Sequence, residues 1–160
     1  MKQKLFSFGD DFTIQNEEAQ PAFFVDGKMF SLGNQLSLQN LQHQELVAIR
    51  QKIFAWGPTY EIYRDGVLTG VVKKHLLTFF HCRLTVDVPG PEDFKAEGNL
   101  TDHEYAFRRG PRTVATVSKR WFALGDTYGV DVDEGEDDVL LLASTIVIDL
   151  ACHDDQHRSG

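Results

Sequence analysis

Cysteine is nearly absent from the chain, with only Cys82 and Cys152 in 160 residues, far apart in the sequence. A chain of this size buries roughly two-thirds of the surface that it exposes when unfolded, and it needs no covalent staple. The expectation is therefore a pair of reduced, buried thiols in a cytoplasmic protein. Positive charge is scarce as well: 16 Lys and Arg stand against 24 Asp and Glu, a formal net charge of -8. Such a surface repels polyphosphates at long range, which argues against nucleic-acid binding spread over the whole molecule. No apolar run reaches the roughly 20 residues that span a bilayer, and the opening MKQKLFSFGDD has no signal core. The sequence also lacks a G-x-S-x-G turn, a phosphate-cradling glycine loop, an H-E-x-x-H pair and a C-x-x-C. Asp102, His103 and Glu104 are consecutive and would project alternately from a strand, so they form no acid–base group. A protein without catalytic function and without a cofactor is expected.

What the chain has in plenty is core material and repetition. Hydrophobic residues make up 42%, aromatics 11% and charged residues 25%, the composition of one globular domain. That domain is expected to span residues 1–153, with a polar tail over 154–160. Written in rows of about 24 residues, KLFSFGD from Lys4, KMFSLGN from Lys28 and KIFAWGP from Lys52 fall under one another, HLLTFF at His75 begins a weaker row, a faint one starts near Gly98, and RWFALGD from Arg120 returns clearly. About six units result. Within a unit apolar and polar residues alternate, as Phe12 and Ile14 do around Thr13 and Tyr60 and Ile62 around Glu61, and polar turns follow. The turns are Asn16-Glu17-Glu18, Arg64-Asp65-Gly66, Pro89-Gly90-Pro91 and Arg109-Gly110-Pro111, and Asp65-Gly66 is the strongest hairpin signal among them.

Six hairpins supply about twelve short strands, which must stack as two sheets or close on themselves to remove exposed edges. The C-terminal segment favours closure. VLLLASTIVIDLAC, from Val139 to Cys152, is apolar on every side if helical, with Asp149 its one strongly polar residue, so it must be surrounded. A barrel of about twelve strands leaves a lumen able to hold a helix about 10–12 Å across. The expected fold is mainly β, a closed barrel of repeated hairpins around a central hydrophobic helix over about 138–152. The competing assignment is two buried strands, because Thr145 to Ile148 are all β-branched.

The hairpin units carrying K-x-F-S-L-G, then PTYEIYRDG, VDVPGPEDF, GNLTDHEY, SKRWFALGDTYGVDV and DDVLLLASTIVIDLACHDD, resemble the LURP-one-related family over nearly the whole chain. The resemblance implies kinship with the Tubby C-terminal domain and the phospholipid scramblases, and with it a twelve-stranded barrel enclosing a C-terminal helix. It also implies two kinds of site, since Tubby domains bind phosphoinositide head groups through basic residues and scramblases carry a calcium-binding segment beside the final helix.

Two clusters answer to those sites. Lys28, Lys52, Lys73, Lys74, Lys119 and Arg120, with Lys4, recur near the starts of the clear rows, so hairpin periodicity sets them side by side as a candidate belt for an anionic lipid head group or a protein partner. The alternative is that they only keep the strands soluble and discourage edge pairing. Asp131, Asp133, Asp137 and Asp138 surround Gly135 just before the helix and are candidate calcium ligands, although Leu142 stands where a calcium loop would place its bidentate Glu. The alternative there is a helix cap formed by Asp137 and Asp138. His81-Cys82 and Cys152-His153 would make a zinc site only if a strand bulge let neighbouring side chains face one metal. Asp149 requires a buried partner, expected to be backbone or an inward arginine. The functional expectation is a binding module or scaffold, cytoplasmic and peripheral at the membrane. The alternative is a protein-docking or oligomerisation module that uses apolar row ends such as Trp56 and Phe80.

Overall fold

The computed structural model describes the backbone of residues 2–8, 11–30, 33–52, 58–75, 83–88, 93–100, 102–119 and 128–157, and the side chains of 13–27, 35–52, 58–74, 85–88, 93–100, 102–119 and 128–152. The protein is mainly β with one C-terminal helix, as expected. The strands are β1 (Lys2–Phe8), β2 (Asp11–Gln15), β3 (Pro21–Phe30), β4 (Gly33–Gln39), β5 (Glu45–Lys52), β6 (Thr59–Arg64), β7 (Val67–His75), β8 (Arg83–Asp87), β9 (Phe94–Asn99), β10 (Glu104–Arg109), β11 (Arg112–Ser118) and β12 (Tyr128–Val132), followed by α1 (Asp138–His157). Each strand pairs antiparallel with its neighbour in sequence, and β1 pairs also with β12, Lys2 to Leu5 opposite Asp131 to Tyr128.

The repeat noticed in the sequence is visible in the turns. Asn16 and Asn40 stand one repeat apart and make the same contacts. The Asn16 carboxamide oxygen accepts from the backbone N–H of Glu18 and Gln20, and that of Asn40 from Gln42 and Gln44, all at 3.0 Å. Each Asn amide also donates to the side chain of its turn's closing glutamine. Both turns place a non-glycine residue at positive φ, Ala19 at 60° and His43 at 58°. Such Asx geometry is the local reason that these hairpins turn where they do.

Strand alternation then directs one set of side chains inward. Val47 and Ile49, Tyr60 and Ile62, Phe94 and Ala96, and Val130 and Val132 are all buried, and α1 packs against β5, β6, β7 and β12. From Leu140 to Ile148 the helix is buried at every residue. At about 1.5–3 kcal/mol for each large apolar side chain removed from water, this burial overrides the strand preference of Thr145 to Ile148, so the two-strand assignment does not hold. Gly70 lets the helix approach closely, because a Cβ there would lie 3.2 Å from Leu140 Cδ1. The helix begins where expected but runs to His157, taking in residues first assigned to the tail. The apolar pattern had marked only the part of the helix that needs cover. Of the expected turns, 17–18, 65–66 and 110–111 are present, and Pro89-Gly90-Pro91 lies outside the described residues.

Candidate functional site

The antiparallel order gives the molecule two unlike ends. Even-numbered β12 leads into the helix start, so the odd-numbered strands finish at the opposite end, beside the helix's last turns. The candidate cations gather at that second end. Lys28 lies on β3 opposite Gln35, Lys52 ends β5, Lys73 and Lys74 lie late on β7, and Lys119 follows β11. The side chain of Lys28 and the whole of Arg120 lie outside the described residues. Lys4 pairs with Gly129 within β1, and its side chain is likewise outside them.

The described cations of this end are engaged within the fold to different degrees. Lys52 makes an ion pair with Glu61, a carboxylate buried on the outer face of the sheet, which also accepts a 2.6 Å hydrogen bond from Tyr63 Oη. Arg50 lies over the Tyr63 ring, 5.0 Å from its centroid. Burial by itself would raise the Glu61 carboxyl, but the hydrogen bonds from Lys52 and Tyr63 outweigh it and hold the group below its ordinary range. The same bonds raise Lys52 and Tyr63, chiefly through Glu61. Lys73 pairs with Asp87 at 2.5 Å on the outside. Lys74, one residue later, points inward and donates to the Ala151 carbonyl in the C-terminal half of the helix at 2.6 Å, which ties β7 to α1. Sequence adjacency had put both lysines in one belt, whereas strand alternation gives them separate tasks. Lys119 is exposed, and its backbone N–H donates to Glu104 and to the His103 carbonyl, each at 3.0 Å.

Inside the same end lies a polar group that the sequence did not reveal. His103 Nε2 meets Asp149 Oδ1 at 2.7 Å, and the imidazole stacks on Tyr128 with centroids 4.2 Å apart. Asp149 thus has a histidine where an arginine or backbone partner was expected. His103 reaches it because the residue sits in the β9–β10 turn at φ 54° rather than on a strand. Burial pushes the phenols of Tyr105 and Tyr128 far up, and the Asp149 charge adds to both shifts. The nearby Thr145 hydroxyl opposes the shift at Tyr105 in part, though neither phenol oxygen has a hydrogen-bond partner of good geometry. Cys152 is buried close by and is disulfide-bonded, which corrects the expectation of reduced thiols. Cys82 and His81 lie outside the described residues, as does the His153 side chain.

At the end where the helix starts, the acidic segment is occupied by arginines and by the helix itself. Asp137 is the N-cap: its Oδ1 accepts from Leu140 N–H at 3.1 Å, while Arg64 donates to both carboxylate oxygens at 2.9 and 3.0 Å. Asp138 Oδ1 accepts from Val139 N–H at 2.9 Å. Arg112 reaches Asp133 at 3.5 Å and Glu136 at 3.6 Å, and Arg109, lying over Phe94, pairs with Glu136 at 2.9 Å. Asp131 is on β12, opposite Lys2 and Thr116, away from the cap. Among the described residues no three His, Cys, Asp or Glu gather as a metal site, and no described helix is long and apolar enough to cross a membrane.

Comparison with known proteins agrees with the fold. The profile of the family described as LURP-one-related matches residues 1–149. The uncharacterized protein YxjI of Bacillus subtilis (strain 168) is 33% identical over 159 residues, which cover 99% of this chain and 96% of that protein. A solved X-ray structure of a protein from Arabidopsis thaliana superposes with a TM-score of 0.68 at 16% identity, covering 97% of this chain and 90% of the other.

Proposed function

The chain belongs to the LURP-one-related family, and from that premise we propose that it is a non-enzymatic binding module, a barrel closed around its C-terminal helix, that meets anionic phospholipid head groups at the end where the odd-numbered strands finish. The ladder between β1 and β12 supports the closed form. The observation that carries the binding reading is the shared direction of β3, β5, β7 and β11, which delivers Lys28, Lys52, Lys73 and Lys119 to one rim. Lys52 and Lys73 keep 43% and 53% of their side-chain surface despite their ion pairs. An exposed pair such as Lys73 with Asp87 is worth about 0–1 kcal/mol, so a head group of higher charge exchanges for the carboxylate at little cost. Lys74 is committed to the helix and drops out of the belt. In this reading the protein acts peripherally at a membrane surface.

Co-sedimentation of the purified protein with vesicles of phosphatidylcholine alone, or with added phosphatidylserine or phosphoinositide, tests the proposal. Capture by the anionic vesicles that weakens with salt, and that falls in Lys73→Glu and Lys119→Glu, is expected. Failure to sediment with any vesicle at low salt refutes lipid binding. Calcium-dependent capture would instead direct attention to Asp131, Asp133, Asp137 and Asp138. A second reading, docking of a protein partner, draws on Leu41 in the β4–β5 turn and Val67 and Leu68 at the start of β7, which are 47%, 65% and 38% exposed at the other end. Trp56 and Phe80 lie outside the described residues. Salt-insensitive self-association in analytical ultracentrifugation would favour that reading.

A further inference from the structure

The register of the strands from β5 to β10 sets cations in a line across the sheet. Lys52 on β5 stands opposite Thr59 on β6, Thr59 opposite Lys73 on β7, Lys73 opposite Thr85 on β8, Thr85 opposite Lys95 on β9, and Lys95 opposite Arg108 on β10. Directly opposed residues share one face of a sheet. This face is the outer one, because the chain neighbours Tyr60, Val72, Val86, Phe94 and Phe107 are all buried within the core. The row begins at the rim, where Lys52 ends β5, and then leaves it, since Lys95 lies near the start of β9. Its last step opposes the fold. Lys95 and Arg108 are like charges on directly opposed residues, an arrangement that destabilises a sheet. Arg108 is relieved by the Pro111 carbonyl, to which it donates at 2.7 Å, and by Glu97 at 3.8 Å. Lys95 is exposed and makes no hydrogen bond or ion pair among the described residues.

We propose that this row is a docking surface for an acidic peptide segment in a polyproline-like conformation, with a carboxylate at every third residue. Spacing selects that partner. Lys52, Lys73 and Lys95 follow one another at intervals of two strands, about 9.4–9.8 Å at the usual strand separation, and a polyproline II chain returns to the same side every third residue, after about 9.3 Å. Thr59 and Thr85 place a hydroxyl between successive cations, and Lys95 and Arg108 hold one carboxylate between them, which offsets their repulsion. The pairs already present leave the row open, because exposed pairs such as Lys73 with Asp87 and Arg108 with Glu97 exchange at little cost. A net charge of -8 gives no long-range attraction to a polyanion, so the match in spacing supplies the preference. A membrane fits the row less well. The sheet bends around α1, which packs against β5, β6, β7 and β12, and an extended chain follows such a curve where a plane does not. The proposal stands without the lipid reading: Lys52 and Lys73 are common to both, whereas Lys95 and Arg108 belong to the row alone.

Fluorescence anisotropy of the full chain with two labelled peptides at low salt tests this directly. One peptide repeats Glu-Pro-Pro four times, and its isomer carries the same four glutamates in one run ahead of eight prolines. The spaced peptide should bind the parent more tightly than its isomer. Lys95→Ala should weaken that binding about two- to fivefold, the range of one exposed charge pair, and Lys95→Glu and Arg108→Glu should weaken it further, while Lys119→Glu, off the row, leaves it unchanged. Equal binding of the two peptides, or binding of neither, overturns the proposal. Loss of vesicle capture in Lys95→Glu without a preference for the spaced peptide overturns it too and assigns the row to a membrane. A preference for the spaced peptide in a protein that sediments with no vesicle supports the row and removes the lipid reading alone. Lys95→Ala should also unfold at the same or higher urea than the parent, because it relieves the like-charge pair, and a lower midpoint would show that the fold itself needs Lys95 and would overturn the premise.

Discussion

Asp137 is where the acidic segment's two possible roles make opposite predictions. Its Oδ1 accepts from Leu140 N–H at the N3 position of α1, and both its oxygens accept from Arg64, in a pair whose side chains are each 38% exposed. Replacing an N-cap Asp by Ala typically costs about 0.5–2 kcal/mol, and an exposed ion pair contributes about 0.2–1 kcal/mol. Asp137→Ala removes both, for a loss of about 1–3 kcal/mol, or about 2–12 °C in melting temperature for a domain of this size. Asp137→Asn keeps an oxygen for the cap and loses only the charge, and Arg64→Ala loses only the pair, so each should cost no more than about 1 kcal/mol. Urea unfolding followed by helical circular dichroism measures all three, and the Arg64→Ala/Asp137→Ala double variant isolates the coupling between them. If the Asn variant is as damaged as the Ala variant, or if millimolar calcium raises the parent's midpoint and not theirs, the cap account is wrong and the carboxylate serves a metal.

Two further outcomes follow from the packing and the charges. Gly70 faces the first turn of α1 with a would-be Cβ 3.2 Å from Leu140 Cδ1 and 3.8 Å from Ile62 Cδ1; Gly70→Val should cost about 1–3 kcal/mol through overpacking and Gly70→Ala less, and a valine variant as stable as the parent in urea would mean that the helix does not sit against β7. Glu61 has its carboxyl held below the ordinary value of 4.5 when folded, so its contribution is fully present above that pH and is lost as the pH falls through the lowered folded value; unfolding midpoints of the parent and Glu61→Gln, compared between about pH 7 and pH 3, should therefore converge in acid, and a constant difference would refute the assignment.

How much of this was legible in the sequence depended on the range of the interaction concerned. The repeat of K-x-F-S-L-G and its partners, the Asn16 and Asp65-Gly66 turns and the all-round apolar stretch from Val139 are local patterns, and they led directly to hairpins and a surrounded helix. Asp149 stood out as a charge on an apolar helix, but its partner did not, because His103 is 46 residues away and reaches it only from a turn at positive φ. Arg64 and Asp137 are 73 residues apart, and no sequence pattern joins them. Lys73 and Lys74 looked equivalent as a charge pair, and only the face of β7 that each occupies separates an exposed ion pair from a bond to the helix backbone. Sequence periodicity thus located the rim, while the partners of its members depended on contacts that only the complete fold brings together.

The ladder between β1 and β12 also dictates an order of assembly. Every other ladder joins strands adjacent in the chain, with short loops to close and small entropic cost. Lys2 to Leu5, by contrast, must wait for Tyr128 to Asp131, and the core to which β2 to β12 contribute includes a helix that is synthesised after them. During translation, hairpins therefore accumulate with their apolar faces uncovered until α1 leaves the ribosome, and that interval is the one in which a chaperone has something to hold.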